Sequence, residues 1–226
     1  YCNPIQYAEH RKTLENVICT AGKFGATHVS TFAGAWEGKP VESAYEEFGK
    51  VFRELADLAE EKGVKLGIEN CLMDGTWEHA TCNIGFNPKA WEVMFEEVKN
   101  DNFGLEWEPT HQMVQLIDPV TELRKWCKKI VHIHGKDATI DWDAVRHSGI
   151  SGAVPFVWHR MPGFGDTNWR DIISILRSNG YEDDICIEGY HDPVYSGELE
   201  MTGQLHALNY LKWCRGGDFT PTPWAK

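Results

Sequence analysis

At 226 residues the chain is long enough for one domain with a full core, and 34 acidic against 22 basic side chains give it a formal charge of −12. That balance argues against binding a nucleic-acid backbone, which needs clustered cations; no apolar run approaches the roughly 20 residues of a membrane helix, and the opening "YCNPIQYAEHRK" does not read as a signal peptide. Seven dispersed cysteines (Cys2, Cys19, Cys71, Cys82, Cys127, Cys186 and Cys214), with no C-x-x-C pair, point to reduced thiols in a cytoplasm rather than a disulfide framework or a zinc knuckle.

In chain order, residues 10–24 have helical spacing and close at Gly25, and "THVSTFAG" has strand composition. Residues 41–62 carry Tyr45, Phe48, Phe52, Leu55 and Leu58 at three- and four-residue intervals, a helix ended by Gly63. "VKLGIEN" is a strand, and "PKAWEVMFEEVK" is a helix with proline in its first turn. "NFGLEWE" is a strand, "DPVTELRKWCKK" a helix opened by Asp118, and "IVHIHGKD" a strand. A long, shaped loop over 138–168 follows. Then come a helix "NWRDIISILRSNG" capped by Asn168, a strand "DDICIEG" and a last helix near 198–214.

Strict alternation of strand and helix predicts an α/β class with a parallel sheet covered by helices. With no glycine-rich phosphate loop after the first strand, a closed (β/α)8 TIM barrel fits better than a dinucleotide-binding sheet. Five βα units are visible where a barrel has eight strands and typically about 250 residues. "YCNP" reads like the tail of a strand and the loop after it. The expectation is one partial TIM-barrel domain over 1–226, without its first two or three strands.

Residues two apart in a strand face the same way. On that rule Leu66, Ile68, Phe103, Leu105, Trp107, Val131, Ile133, Ile185 and Ile187 face the helices. Gly67 and Glu69, Gly104, Glu106 and Glu108, His132 and His134, and Cys186 and Glu188 face inward. Each strand thus ends, at the mouth where barrels keep their active sites, in Glu69, Glu108, His134 or Glu188. Three carboxylates aimed at one cavity repel, and burying such charge unpaired is costly. One divalent ion would neutralise them, with Mn²⁺ first and Mg²⁺, Co²⁺ or Zn²⁺ as alternatives. His132 reads as a packing or supporting residue and Glu106 as a support or a partner for a nearby cation.

His111 leans over the mouth from just past its strand. Lys136 and Asp137 read either as a mutual salt bridge or as substrate contacts. In the long loop, His159 and Arg160 are candidates to reach a sugar hydroxyl or carbonyl, and so is Asp166, for which a cap on the following helix is the preferred reading. Trp77 and Asn83, in the loop after "GIEN", are candidate substrate contacts.

"GIEN", "GLEWEPTH", "HIHGKD", "HRMPGFGDTNW" and "CIEGYHDP", in this order and spacing, resemble the xylose-isomerase-like barrel superfamily. That superfamily includes sugar-phosphate isomerases and epimerases, ketose 3-epimerases, inosose dehydratases and apurinic endonucleases. The resemblance implies Glu69, Glu108, His134 and Glu188 as metal ligands, His111 as a substrate-contacting histidine and Arg160 as the arginine after the seventh strand. Glu108 stands where the family usually has Asp, and "EGYHDP" replaces its Glu-x-Glu-Asp-Pro, placing His191 there.

The expected activity is a metal-dependent sugar isomerase or epimerase acting through an enediolate, with Glu69 and Glu188 as base and acid. A lyase, either a dehydratase or a C-glycoside deglycosidase subunit, shares the first step. An apurinic endonuclease and a non-catalytic sugar-binding subunit complete the alternatives. The expected partner is a small sugar or sugar derivative, with no nucleic acid and no membrane. An open barrel edge would also have to be covered, by self-association or by a chain completing the barrel.

Overall fold

The computed structural model describes residues 2–218 and 220–223. In chain order its elements are α1 (Ala8–Ala21), β1 (His28–Thr31), α2 (Tyr45–Glu61), β2 (Lys65–Glu69), α3 (Pro88–Glu97), β3 (Phe103–Trp107), α4 (Pro109–Met113), α5 (Pro119–Trp126) and β4 (Ile130–Gly135). After these come β5 (Asp137–Ile140), α6 (Trp142–Ser148), β6 (Val157–Arg160), α7 (Trp169–Ser178), β7 (Ile185–Ile187) and α8 (Glu200–Arg215). They form two compact units: Tyr1–His134 with Asp183–Cys186, and Gly135–Glu182 with Ile187–Lys226.

The first unit holds a sheet in the order β1-β2-β3-β4-β7, and the pairings of β1, β2, β3 and β4 are parallel. Apart from α4, its helices are the ones the spacing predicts. Asn87 caps α3 by accepting the Lys89 N–H, and Asp118 caps α5 by accepting the Val120 N–H, each with proline in the first turn. Phe48 and Phe52 of α2 stack at 4.6 Å and both reach Phe103 of β3, at 6.3 and 6.2 Å between ring centroids. Burying each such ring contributes about 1.5–3 kcal/mol, so this aromatic seam fixes the helix layer against the strands. Of the opening "YCNP", Tyr1 lies outside the described residues. Pro4 begins a turn rather than leaving a strand, held by buried Asn3, which accepts the N–H groups of Gln6 and Ala35.

Alternation breaks once. The pairing shifts between Leu105 and Glu106, so Leu105 faces Ile130 while Glu106 faces His132, and Val131 becomes an extra residue. The expectation that Val131 faces the helices is corrected. Its methyls lie over two glycines, where an added Cβ would meet them at 2.8 Å on Gly67 and 2.6 Å on Gly104. The glycines leave the room that the bulged valine fills. Because the bulge absorbs one residue, His132 pairs opposite Glu106 and Ile133 opposite Trp107, so both histidines keep the inward side expected of them.

In the second unit, 138–168 is not simply a loop. β5 and β6 form an antiparallel ribbon running from Asp137 opposite Arg160 to Ile140 opposite Val157. Between them α6 is capped by Asp141, which accepts the N–H groups of Asp143 and Ala144. None of α6 is buried, so it carries no apolar stripe for a periodicity argument to find. Asp166 does not cap α7; Asn168 does, accepting the Asp171 N–H. Instead Asp166 accepts the Ile140 N–H at 2.9 Å and donates its own N–H to the Ala138 carbonyl at 2.7 Å, tying the ribbon down.

Lys136 and Asp137 do not pair with each other. Lys136 meets Glu188 at 2.9 Å, and Asp137 collects the N–H groups of Ala138, Gly163 and Thr167. Burial of the Asp137 carboxyl outweighs those bonds and lifts its pKa above the usual carboxylate range. None of the seven cysteines is in a disulfide, and no described helix is long and apolar enough to cross a membrane.

Candidate metal centre

Glu69 ends β2, Glu108 follows β3 directly, and His134 lies in β4. His134 Nδ1 sits 3.7 Å from Glu69 Oε1 and 3.5 Å from Glu108 Oε2. One donor atom from each of the three residues lies within 4.8 Å of the others. The Glu108 side chain is wholly buried, whereas Glu69 and His134 keep 19% and 21% of theirs exposed. Two carboxylates converging this closely, one of them dry, call for a compensating charge. Carboxylate oxygen with imidazole nitrogen is a donor set that suits a divalent cation.

Two buried asparagines fix the carboxylates. The Asn70 amide accepts the Glu108 N–H at 2.7 Å and donates to the Glu108 carbonyl at 2.9 Å. Asn83 accepts the N–H groups of Ala33 and Gly85 and donates to the carbonyls of Glu69 and Cys71, both at 2.8 Å. The expectation of Asn83 as a substrate contact is therefore corrected, because its amide is fully committed to backbone. Asn70 carried no expectation at all. Its signal was that it continues the helix-facing series of Leu66 and Ile68 yet is polar, and a buried polar group at such a position must have a partner.

His111 reaches the mouth through α4, a five-residue helix too short to show a helical period in the sequence. Glu108 is the residue before its first turn, so His111 comes back over it three residues later. Its Nε2 lies 3.3 Å from Glu108 Oε1 and 3.8 Å from Glu69 Oε1. The short helix is braced from Trp107, whose indole donates to Gln112 at 2.8 Å, and Gln115 donates to the His111 carbonyl.

Beneath this group the His134 ring turns its Nε2 to Glu106 Oε1 at 3.3 Å. Burial pushes the Glu106 pKa up, but bonding from His134, with Ser30 and His132 adding to it, wins and leaves it below the ordinary value. His28, Glu106 and His132 also bring donor atoms within 4.8 Å of one another, and the two rings stack at 4.0 Å. Burial first, then the neighbouring His28, lowers the His132 pKa, so His132 is neutral at neutral pH.

The other predicted residues are distributed as follows. Trp77 donates to Glu42 at 2.5 Å and packs edge-on against Phe86. In the second unit, Glu188 follows β7, donates its N–H to the Gly135 carbonyl at 3.1 Å and holds buried Lys136 by its side chain. His159 lies 5.6 Å from the His191 ring. Burial, then Lys136 and His191, push its pKa down to about 4 against the opposing pull of Glu188. Arg160 is held 3.3 Å from Asp192, which also accepts the N–H groups of Met161, Val194 and Tyr195.

A parallel sheet covered by helices, with carboxylate and imidazole side chains gathered at the carboxyl ends of its strands, has the layout of the α/β barrel class. The family model "xylose isomerase-like TIM barrel" matches residues 3–212, and the chain belongs to that family. Inosose dehydratase of Clostridium tetani is 26% identical over 182 residues, covering 78% of this chain and 57% of that protein. The chain thus spans little more than half the length of the curated relatives it matches. Among solved structures, the IOLI protein with a bound zinc atom superposes with a TM-score of 0.64 at 22% identity, covering 92% of this chain and 68% of that one. L-ribulose 3-epimerase gives 0.64 at 16% identity, covering 91% and 68%. At these identities the structural matches establish the fold.

Proposed function

We propose that the chain carries the site of a divalent-metal-dependent enzyme that removes the proton next to the carbonyl of a keto sugar or keto polyol. The observation that carries this reading is the convergence of Glu69, Glu108 and His134 within 4.8 Å at the mouth of the sheet. Glu188 is the proposed fourth ligand, since strand alternation selects it and β7 neighbours β4 in the sheet. Mn²⁺ is the first choice of metal, with Mg²⁺, Co²⁺ and Zn²⁺ behind it. When bound, the cation offsets the carboxylate charge and polarises a carbonyl oxygen.

Exposure divides the work among the carboxylates. Glu108, fully buried, is an anchor; Glu69 and Glu188, with 19% and 30% of their side chains exposed, are the pair that can meet a substrate. They are the proposed base and acid. His111, Arg160, His159, Lys136 and Trp77 are the proposed substrate contacts. Neutral His159 is suited to donate or accept a hydrogen bond at neutral pH.

Loss of a β-hydroxyl after the proton leaves, giving a dehydratase, is the reading favoured by the sequence relatives, several of which are inosose dehydratases. Return of the proton on the other face or at the neighbouring carbon, giving an epimerase or isomerase, is the second reading, and epimerases among the structural neighbours favour it. Incubation with Mn²⁺, D₂O and a panel of keto sugars and inososes separates them. Both products should carry solvent deuterium: an epimerised or isomerised sugar at the carbon that regains the proton, and a dehydrated ketone, whose deprotonated carbon keeps no hydrogen, at the neighbouring carbon that lost the hydroxyl once its enol ketonises. Glu188→Gln should remain folded and lose the exchange. Metal-loaded protein that exchanges no proton with any panel member would overturn the proposal.

A further inference from the structure

We propose that Glu106 is the positioning residue for His134: its carboxylate takes the Nε2–H and thereby leaves the Nδ1 lone pair facing Glu69 and Glu108. The inference rests on the metal reading above and goes beyond the ligands themselves.

A neutral imidazole has one N–H and one lone pair, and an ionised carboxylate only accepts. With Glu106 Oε1 at 3.3 Å from Nε2, and Glu69 and Glu108 oxygens at 3.7 and 3.5 Å from Nδ1, the ring stands between two acidic groups of different purpose. The lower one is Glu106, 6% exposed. Placing the proton on Nε2 satisfies this buried oxygen. Placing it on Nδ1 would set the Nε2 lone pair against the Glu106 oxygen in a dry layer, and would block the nitrogen that faces the mouth. Carboxylates that orient a ligating histidine in this way typically change metal affinity by about 10–100-fold when removed.

The arrangement is built by the strands. Glu106 stands opposite Glu69 on one side and opposite His132 on the other. The bulge at Val131 brings His132 opposite Glu106 and leaves His134, two residues on, pointing inward above it. His28 and His132 bring ring nitrogens within 4.8 Å of the buried carboxylate, so it has little freedom to swing away.

The test compares two variants of similar volume in the full chain: Glu106→Gln, which keeps an acceptor oxygen, and Glu106→Met, which has none. Mn²⁺ affinity is read by calorimetry, and the Nε2–H of His134 by proton–nitrogen NMR of the Zn²⁺-loaded protein. Circular dichroism confirms that each variant folds. Wild type should bind one ion and show a slowly exchanging His134 Nε2–H. Glu106→Met should weaken Mn²⁺ by about 10–100-fold and lose that resonance, while Glu106→Gln should stay within a few-fold of wild type. Wild-type binding with an unchanged Glu106→Met variant would overturn this inference alone. Failure of wild type to bind any ion would overturn the metal reading and this inference with it. Two bound ions in wild type, one of them lost in Glu106→Met, would make Glu106 a ligand together with His28 and His132 and overturn the positioning role.

Discussion

Asn70→Ala removes a side chain that touches no substrate and should still disable the site. The amide is fully buried and makes two bonds to one residue, accepting from the Glu108 N–H at 2.7 Å and donating to its carbonyl at 2.9 Å. Truncation leaves both backbone groups dry and unsatisfied, at about 1–3 kcal/mol each. Taking about 3–4 kcal/mol for the pair, and about 2–4 °C per kcal/mol for a chain of this size, the melting temperature should fall by roughly 6–16 °C. Release of the Glu108 backbone should also weaken metal binding, because the anchor carboxylate loses its fixed approach. Thermal melts followed by circular dichroism, with and without Mn²⁺, give the first number, and calorimetric titration gives the second. A melting point within about 2 °C of wild type together with unchanged Mn²⁺ affinity would refute the clamp.

Metal itself should stabilise the fold: at about 100 times its Kd, Mn²⁺ should add about 2.7 kcal/mol, which EDTA reverses; equal melting curves with metal and with chelator would contradict the site. Gly104→Ala places a Cβ 2.3 Å from the Lys129 carbonyl oxygen, and should cost about 3 kcal/mol or more by overpacking, read from the urea midpoint. Asp192 is buried, which raises its pKa, yet the N–H groups of Tyr195, Met161 and Val194 and the charge of Arg160 bring it below its ordinary 3.8. The stability it contributes is therefore present above pH 3.8 and lost as pH falls through the lower folded value. Asp192→Asn should be less stable at neutral pH and lose less on acidification, as urea unfolding at pH 7 and pH 3 will show.

Much of the first unit was legible because its signals are redundant. Strand alternation and helix spacing agree with caps at Asn87 and Asp118, and the same alternation selects Glu69, Glu108 and His134. Val131 escaped because a bulge is a matter of register between two strands, which no single strand records. The Asn70 and Asn83 clamps escaped for a related reason: their partners are backbone groups of Glu108, Ala33 and Glu69, and backbone leaves no trace in composition. The β5–β6 ribbon was hidden by four-residue strands and an α6 with no buried residue, too short and too polar for a period to emerge. Asp166 and Asp137 stayed open between capping or pairing and substrate contact because a short acidic side chain beside a turn has several amides in reach, and only the fold decides which.

The amides of Asn70 and Asn83 have a consequence for how such a site changes over time. Each side chain imitates a peptide group, holding the end of a strand as if the ladder ran one rung further, while the main chain itself is free to leave. Residues 72–82, between the two clamps, can therefore lengthen, shorten or be exchanged without disturbing the acidic groups beneath them. Selectivity can drift in that segment while the chemistry underneath is inherited intact.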